Sequence, residues 1–193
     1  MSFAVRAIRW NVAMALAGIS VCGGCALNRG EVKSLRDPDA GRVQFAPAIA
    51  TTISALNALP SGCGPAGNRR RRAEEFRVYE VSGRITRIRR ERDHDIHVVL
   101  ADLDHPREHM VVEFDDPDFR KNVLSPERAR IAAARRMLNA LASDSDDRSL
   151  SSLKGLTVKV SGVGFFDINH FQSGRSRSCI ELHPVTAIER ISP

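Results

Sequence analysis

The chain has 193 residues, a formal net charge of +6 and only 5% aromatic residues. That length holds one domain with tails, and an excess of this size is not by itself a signal for nucleic-acid binding. Aromatics this scarce also argue against a stacking platform for single strands, so nucleic acid is not an expected partner.

The first 25 residues read in three parts. Met1–Asn11 carries Arg6 and Arg9 and no acid, Val12–Val21 is apolar, and Cys22-Gly23-Gly24-Cys25-Ala26 is small and turn-prone. This order matches a secretory signal peptide. The apolar run is too short for a bilayer span, which needs about 20 residues. The segment resembles a bacterial lipoprotein signal, with Cys25 as the expected lipid-attachment residue and Cys22 as the alternative. Ala26 then resembles an outer-membrane sorting residue. The resemblance implies export, a membrane partner engaged through an N-terminal lipid, and a place on the periplasmic side of the cell envelope. Losing Arg6 and Arg9 with the leader takes the net charge from +6 to +4. Two further cysteines, Cys63 and Cys179, form one possible disulfide in an exported chain or remain free thiols.

Residues 26–74 read as a tether, a short helix and a basic linker. Asn28–Pro47 is polar and contains Asp37-Pro38-Asp39. Ala48–Leu59 places Ile49, Ile53, Leu56 and Leu59 at helical spacing, and Pro60 and Gly62 stop it. The run Arg69–Arg72 reads as a solvated loop. The domain expected over 75–193 begins with a long strand near Phe76–Glu91, bent at Ser82-Gly83. Strands follow at Ile96–Ala101 and Glu108–Phe114. Ser125 and Pro126 then signal a helix running to about Ala142. Strands at Leu156–Phe166 and Cys179–Ile191 close the chain, the latter interrupted at Pro184.

The order β-β-β-α-β-β fits a mainly β fold, an OB-like barrel with one inserted helix, in which strands are arranged 1-2-3-5-4. Closure removes the exposed edges of five short strands. By analogy to that fold alone, a ligand would lie on the face of the second and third strands.

Several stretches together resemble a family of uncharacterised bacterial exported proteins and lipoproteins. They include Tyr79-Glu80-Val81-Ser82-Gly83, Asp93 to Asp102, Val160-Ser161-Gly162-Val163-Gly164-Phe165-Phe166-Asp167 and Ile180-Glu181-Leu182-His183-Pro184-Val185. The likeness spans about residues 32–189. It implies export and brings no activity with it. Where this family reads His-Gly-Gln-Thr-Gly in the last loop, the chain has His170-Phe171-Gln172-Ser173-Gly174.

Three groups of residues could carry chemistry. Asp93, Asp95 and His97 alternate, so a strand starting near Asp93 would aim all three at one face, where they could hold a divalent metal. Arg84, Arg87 and Arg89 lie nearby for phosphate contact. The competing expectation places Asp93 at a hairpin turn and Asp95 and His97 on a polar outer face. Glu181 and His183 share a face of the last strand, but in a 1-2-3-5-4 order they are not beside His97. Asp167 and His170 lie in a loop without a nucleophile elbow. No Gly-rich phosphate loop or dinucleotide fingerprint is present. The expected function is therefore a non-catalytic binding or structural domain of the cell envelope, with no cofactor beyond a possible divalent metal. The alternative is a metal-dependent phosphodiesterase or nuclease built on Asp93, Asp95 and His97.

Overall fold

The computed structural model describes residues 29–63, 67–119, 124–143, 149–168 and 173–192. The segment expected to be a leader, with Cys22 and Cys25, lies outside the described residues, as does His170. Among the described residues no helix is long and apolar enough to cross a membrane.

Six strands form one sheet: β1 (Gln44–Thr51), β2 (Arg77–Arg90), β3 (Ile96–Asp102), β4 (His109–Phe114), β5 (Thr157–Phe166) and β6 (Ile180–Arg190). Their order is β1-β2-β3-β4-β6-β5, and a second pairing of β2 with β5 closes five of them into a barrel. The expected OB-like topology is thus present. Strand β2 makes closure possible because its 14 residues serve two neighbours in succession. Its first half pairs with β5, Val81 opposite Val160, and its second half pairs with β3, Ile88 opposite Val98. The irregularity in the β2–β3 ladder falls between Ile85 and Arg87, slightly beyond the expected bend at Gly83. An extra residue there sharpens the twist.

Alternation along the strands sorts their side chains. Ile96, Val98 and Leu100 of β3, Met110, Val112 and Phe114 of β4, and Ile180 and Leu182 of β6 point inward to the main core. Helix α3 (Arg128–Ser143) adds Ala134, Leu138 and Ala142 to that core. Ser125 caps the turn before it, accepting from the Glu127 amide at 3.2 Å, and the helix starts at Arg128 rather than Pro126. Strand β6 continues through Pro184, where the expected interruption is a register shift in its ladder with β5, between the Gly162–Val185 and Gly164–Leu182 pairs.

The region before the barrel differs most from its expectation. Residues 29–43 are not a tether but a strap packed on the outer face of the barrel. It contains helix α1 (Gly30–Lys33) and a 3₁₀ turn at Ala40–Arg42. Val32 and Leu35 are buried, and Leu35 and Val43 pack on Val78 and Val163. The helix expected over 48–59 is strand β1 as far as Thr51, parallel to β2, followed by helix α2 (Ile53–Asn57). Thr52 caps α2 by accepting from the Ala55 amide at 3.0 Å. β1 covers the edge of β2 that β3 does not reach, and such an edge outweighs a weak helical pattern.

The basic run is a solvated loop only in part: Arg69 and Arg71 are exposed, but Arg70 and Arg72 are drawn onto the barrel. Arg70 is buried, 3.0 Å from Asp37 Oδ2, and also donates to the Glu75 and Val32 carbonyls. Arg29 pairs with Glu75, donates to the Phe166 carbonyl at 2.7 Å and lies over the Phe165 ring. Arg72 stacks over Phe166. The spacing of charge along the chain shows none of these acceptors. Cys63 and Cys179 form a disulfide, with Cα atoms 5.2 Å apart, tying the segment before β2 to the start of β6.

Two substitutions test this packing. Gly164→Ala would place a Cβ 2.4 Å from the Glu74 carbonyl oxygen and 2.9 Å from the Tyr79 ring. It is expected to cost about 2 kcal/mol, read from the urea midpoint. Arg70→Met leaves the Asp37 carboxylate buried without its partner and is expected to cost about 3 kcal/mol or more in the same measurement.

Candidate functional site

The residues that alternate with the inward-pointing core lie on the opposite face of β3, β4 and β6. An outer face of an antiparallel sheet is ordinarily wet and polar. Here it is polar and dry: His97, Glu113, Glu181 and His183 are buried, together with Asp95, Asp115 and Asp167 near the strand ends. The strap covers part of this face. Lys33 places its ammonium 3.7 Å from both Glu113 Oε2 and Asp167 Oδ2. The loop before β6 covers another part. Gly174 has φ +85, and a Cβ there would come within 2.4 Å of Val99 on β3. The face of the second and third barrel strands, expected to receive a ligand, is therefore partly covered by the chain's own strap and loop, and a recess of about 240 Å³ stays open beside Val99 and His109.

Glu113 joins the two histidines that the strand order keeps apart. It sits opposite His97 in the β3–β4 register and beside β6, where Val112 is paired with Leu182. Its Oε1 lies 2.9 Å from His97 Nδ1, and its Oε2 lies 2.8 Å from His183 Nδ1. On its far side, His183 Nε2 is 2.8 Å from Asp115 Oδ1. Neither close approach at His183 has the alignment of a hydrogen bond, and both nitrogens lack such a partner among the described residues. Glu181 is fully buried, and neither of its carboxylate oxygens accepts a hydrogen bond there.

Of the sequence candidates, Asp95, His97, Glu181 and His183 converge on this cluster; Asp95 and His97 lie on the polar outer face, which is buried. Asp93 does not join it. The strand begins at Ile96, so Asp93 stays in the turn, where its Oδ1 faces the Asp95 amide at 3.4 Å. Asp95 accepts from the Asp116 amide at 2.7 Å, which anchors the start of β3 to the end of β4. Glu113, Asp115 and Lys33 were not among the candidates. A signal for the first was present: Glu113 interrupts the apolar run Met110 to Phe114 at a position alternating with inward residues. Lys33 gave none, because only the fold of the strap brings it there.

Charges in so dry a site redistribute. Burial disfavours the Lys33 ammonium, but Glu113, Asp167, Glu181 and Asp115 outweigh it and hold it above the ordinary lysine value. Burial pushes Glu113 up, yet His183 and Lys33 reverse this and hold it well below the usual carboxylate range. Burial and the neighbouring Glu113 and Asp167 push Glu181 well above that range. Burial would lower His183, but Asp115 and Glu113 win, and it is pushed up to about 10. Adjacent buried carboxylates cannot both ionise cheaply. Glu113 keeps the charge and Glu181 is the one that holds a proton most readily.

Outside this cluster, a cleft of about 780 Å³ opens between the end of β2 and α3. Arg90, Arg128, Arg135 and Arg136 line it, with Asp116 and Asp118. Arg128 pairs with Asp118 at 2.5 Å, and Arg135 donates to the Phe114 and His94 carbonyls. Arg90 and Arg136 are exposed.

Comparison with protein-family models and with curated proteins gives no match. Among solved structures, the chain is similar to an asparaginyl-tRNA synthetase of Entamoeba histolytica, at 14% identity and a TM-score of 0.37. The similarity covers 76% of this chain and 24% of that one, so the chain spans about a quarter of its length.

The cluster predicts a non-additive pair of substitutions. Lys33→Met removes the ammonium that faces Glu113 and Asp167, and is expected to lower stability by about 2 kcal/mol. Adding Glu113→Gln to that variant should cost less than the sum of the two single changes, because it removes the carboxylate charge that the loss of Lys33 leaves unbalanced. Chemical denaturation of the two single variants and the double variant measures the coupling.

Proposed function

We propose that the chain is an exported domain of the cell envelope, anchored by a lipid on Cys25, or Cys22 in its place, and acting by binding rather than by catalysis. The observation that carries the reading is closure of the acid–imidazole cluster. Asp95, His97, Glu181 and His183 are each no more than 1% exposed. A hydrolytic metal must keep an open position for water and admit its substrate. The phosphodiesterase alternative asks this of residues that lie beneath a strap and a loop.

The arginine-lined cleft is the open surface that suits a ligand. Four guanidinium groups against two carboxylates favour an anionic, phosphate-bearing envelope component. The resemblance of the chain to exported bacterial proteins supports the address, and the Cys63–Cys179 disulfide suits an oxidising compartment.

Mass spectrometry of the mature N-terminus should find an acylated cysteine. Glycerophosphate titrated into the purified protein should bind in a salt-sensitive manner. Arg90→Ala combined with Arg136→Ala should weaken that binding about tenfold, the loss of about 1.4 kcal/mol that a charge-assisted hydrogen bond can supply. Generic phosphodiesters with Mg²⁺, Mn²⁺ or Zn²⁺ should show no turnover. Turnover lost on Asp95→Ala with His97→Ala would overturn the non-catalytic reading.

A further inference from the structure

We propose that Glu113, Glu181 and His183 form a buried site for one divalent transition-metal ion of the Zn²⁺ class, held between the outer face of the barrel and the N-terminal strap. The inference is independent of the cleft and of the anchor. One ligand atom from each of the three residues lies within 4.8 Å of the others. Donors about 2.0–2.1 Å from a shared ion in a tetrahedral site stand about 3.3 Å apart, so small side-chain adjustments are sufficient. The ligands come from adjacent strands, β4 and β6, whose register is set by the barrel and not by a loop.

Glu181 points to the ligand. A fully buried carboxylate with no hydrogen-bond donor on either oxygen is expensive to keep. Within 4.8 Å of it stand a second carboxylate, Glu113, and the imidazole of His183, whose nitrogens are misaligned for hydrogen bonding. An ion placed among the three would satisfy all of them at once. Lys33, from 3.7 Å, and His183 bring the positive charge in this cluster, against the four carboxyl groups of Glu113, Asp167, Glu181 and Asp115.

The groups behind these ligands are those a metal site uses to orient its donors. Asp115 stands at the far nitrogen of His183, and His97 holds the far oxygen of Glu113. Carboxylates behind a ligating imidazole, and hydrogen bonds to a ligating carboxylate, fix direction and raise basicity. A second triad, Asp95, Asp115 and His183, also lies within 4.8 Å, but Asp95 is committed to the Asp116 amide. One imidazole with two carboxylates favours Zn²⁺ or its transition-metal neighbours. Mg²⁺ and Ca²⁺ prefer oxygen donors alone and more of them.

The test uses the mature, purified protein after treatment with a chelator and dialysis. Zn²⁺ is titrated in by calorimetry, retained metal is counted by mass spectrometry after gel filtration, and Co²⁺ substitution is followed by visible absorption. The expected result is one Zn²⁺ per chain, a raised melting temperature, and a Co²⁺ spectrum of low coordination number. Glu181→Gln and His183→Gln should each weaken binding about 100-fold. Glu181→Gln should do so without lowering the stability of the stripped protein, since glutamine keeps the shape of a side chain whose oxygens accept no hydrogen bond among the described residues. Circular dichroism checks that it folds. Asp93→Ala, in the exposed turn, should bind Zn²⁺ as the parent does.

Less than one ion retained per chain, unchanged affinity in Glu181→Gln, or displacement of Zn²⁺ by equimolar Ca²⁺ or Mg²⁺ would overturn the site. Stoichiometric Zn²⁺ with phosphodiester turnover would instead leave the ion site standing and remove the non-catalytic reading.

Discussion

Everything on the outer face of this barrel answers to one constraint: carboxylates have been taken out of water, and each must meet a cation or a donor. Glu113 and Glu181 lie where an antiparallel sheet would ordinarily meet solvent. Removing charge from water is costly unless it is paired. The strap answers this by bringing cations as well as apolar cover. Lys33 faces Glu113 and Asp167, Arg29 binds Glu75, and Asp37 receives Arg70. Val32, Leu35 and Val43 supply the apolar part of the same contact. A strap of purely apolar residues would have left the carboxylates stranded.

The barrel makes that arrangement reproducible. Parity along β3, β4 and β6 sends Ile96, Val98, Met110, Val112, Ile180 and Leu182 inward. The same parity sends His97, Glu113, Glu181 and His183 outward as a group. A one-residue slip of any of these strands would put charge in the core. The hydrophobic interior and the polar cluster therefore enforce the same register. Glu113 is the hinge of the cluster because β4 lies between β3 and β6, and one carboxylate can face a histidine on each side.

Closure also divides the molecule by chemistry. The residues best suited to hold an ion are sealed beneath the strap and the loop at Gly174. The open recess is lined mainly by arginines. An ion in the sealed site would join β4 and β6 beneath the strap. The outward recess beside α3 remains free for an anionic ligand.

Much of the architecture was legible in the residues themselves. Period-two alternation, turn residues and the Ser125-Pro126 signal marked five strands and one helix, because these depend on local patterning and on closing free edges. Asp95, His97, Glu181 and His183 stood out for the same local reason, their alternation within strands. Their convergence did not, because it depends on Glu113 standing between β3 and β6, a relation that exists only once the barrel is closed. The strap, the strand at Gln44–Thr51 and the burial of Arg70 were equally hidden. A polar, charged segment looks like a tether until its partners, Glu75, Arg70 and Glu113, are brought to it from elsewhere in the chain. Local periodicity determined the elements and the faces of their side chains. Only the tertiary structure decided which charges lost their water, because pairing across 33 to 80 residues of sequence leaves no periodic trace.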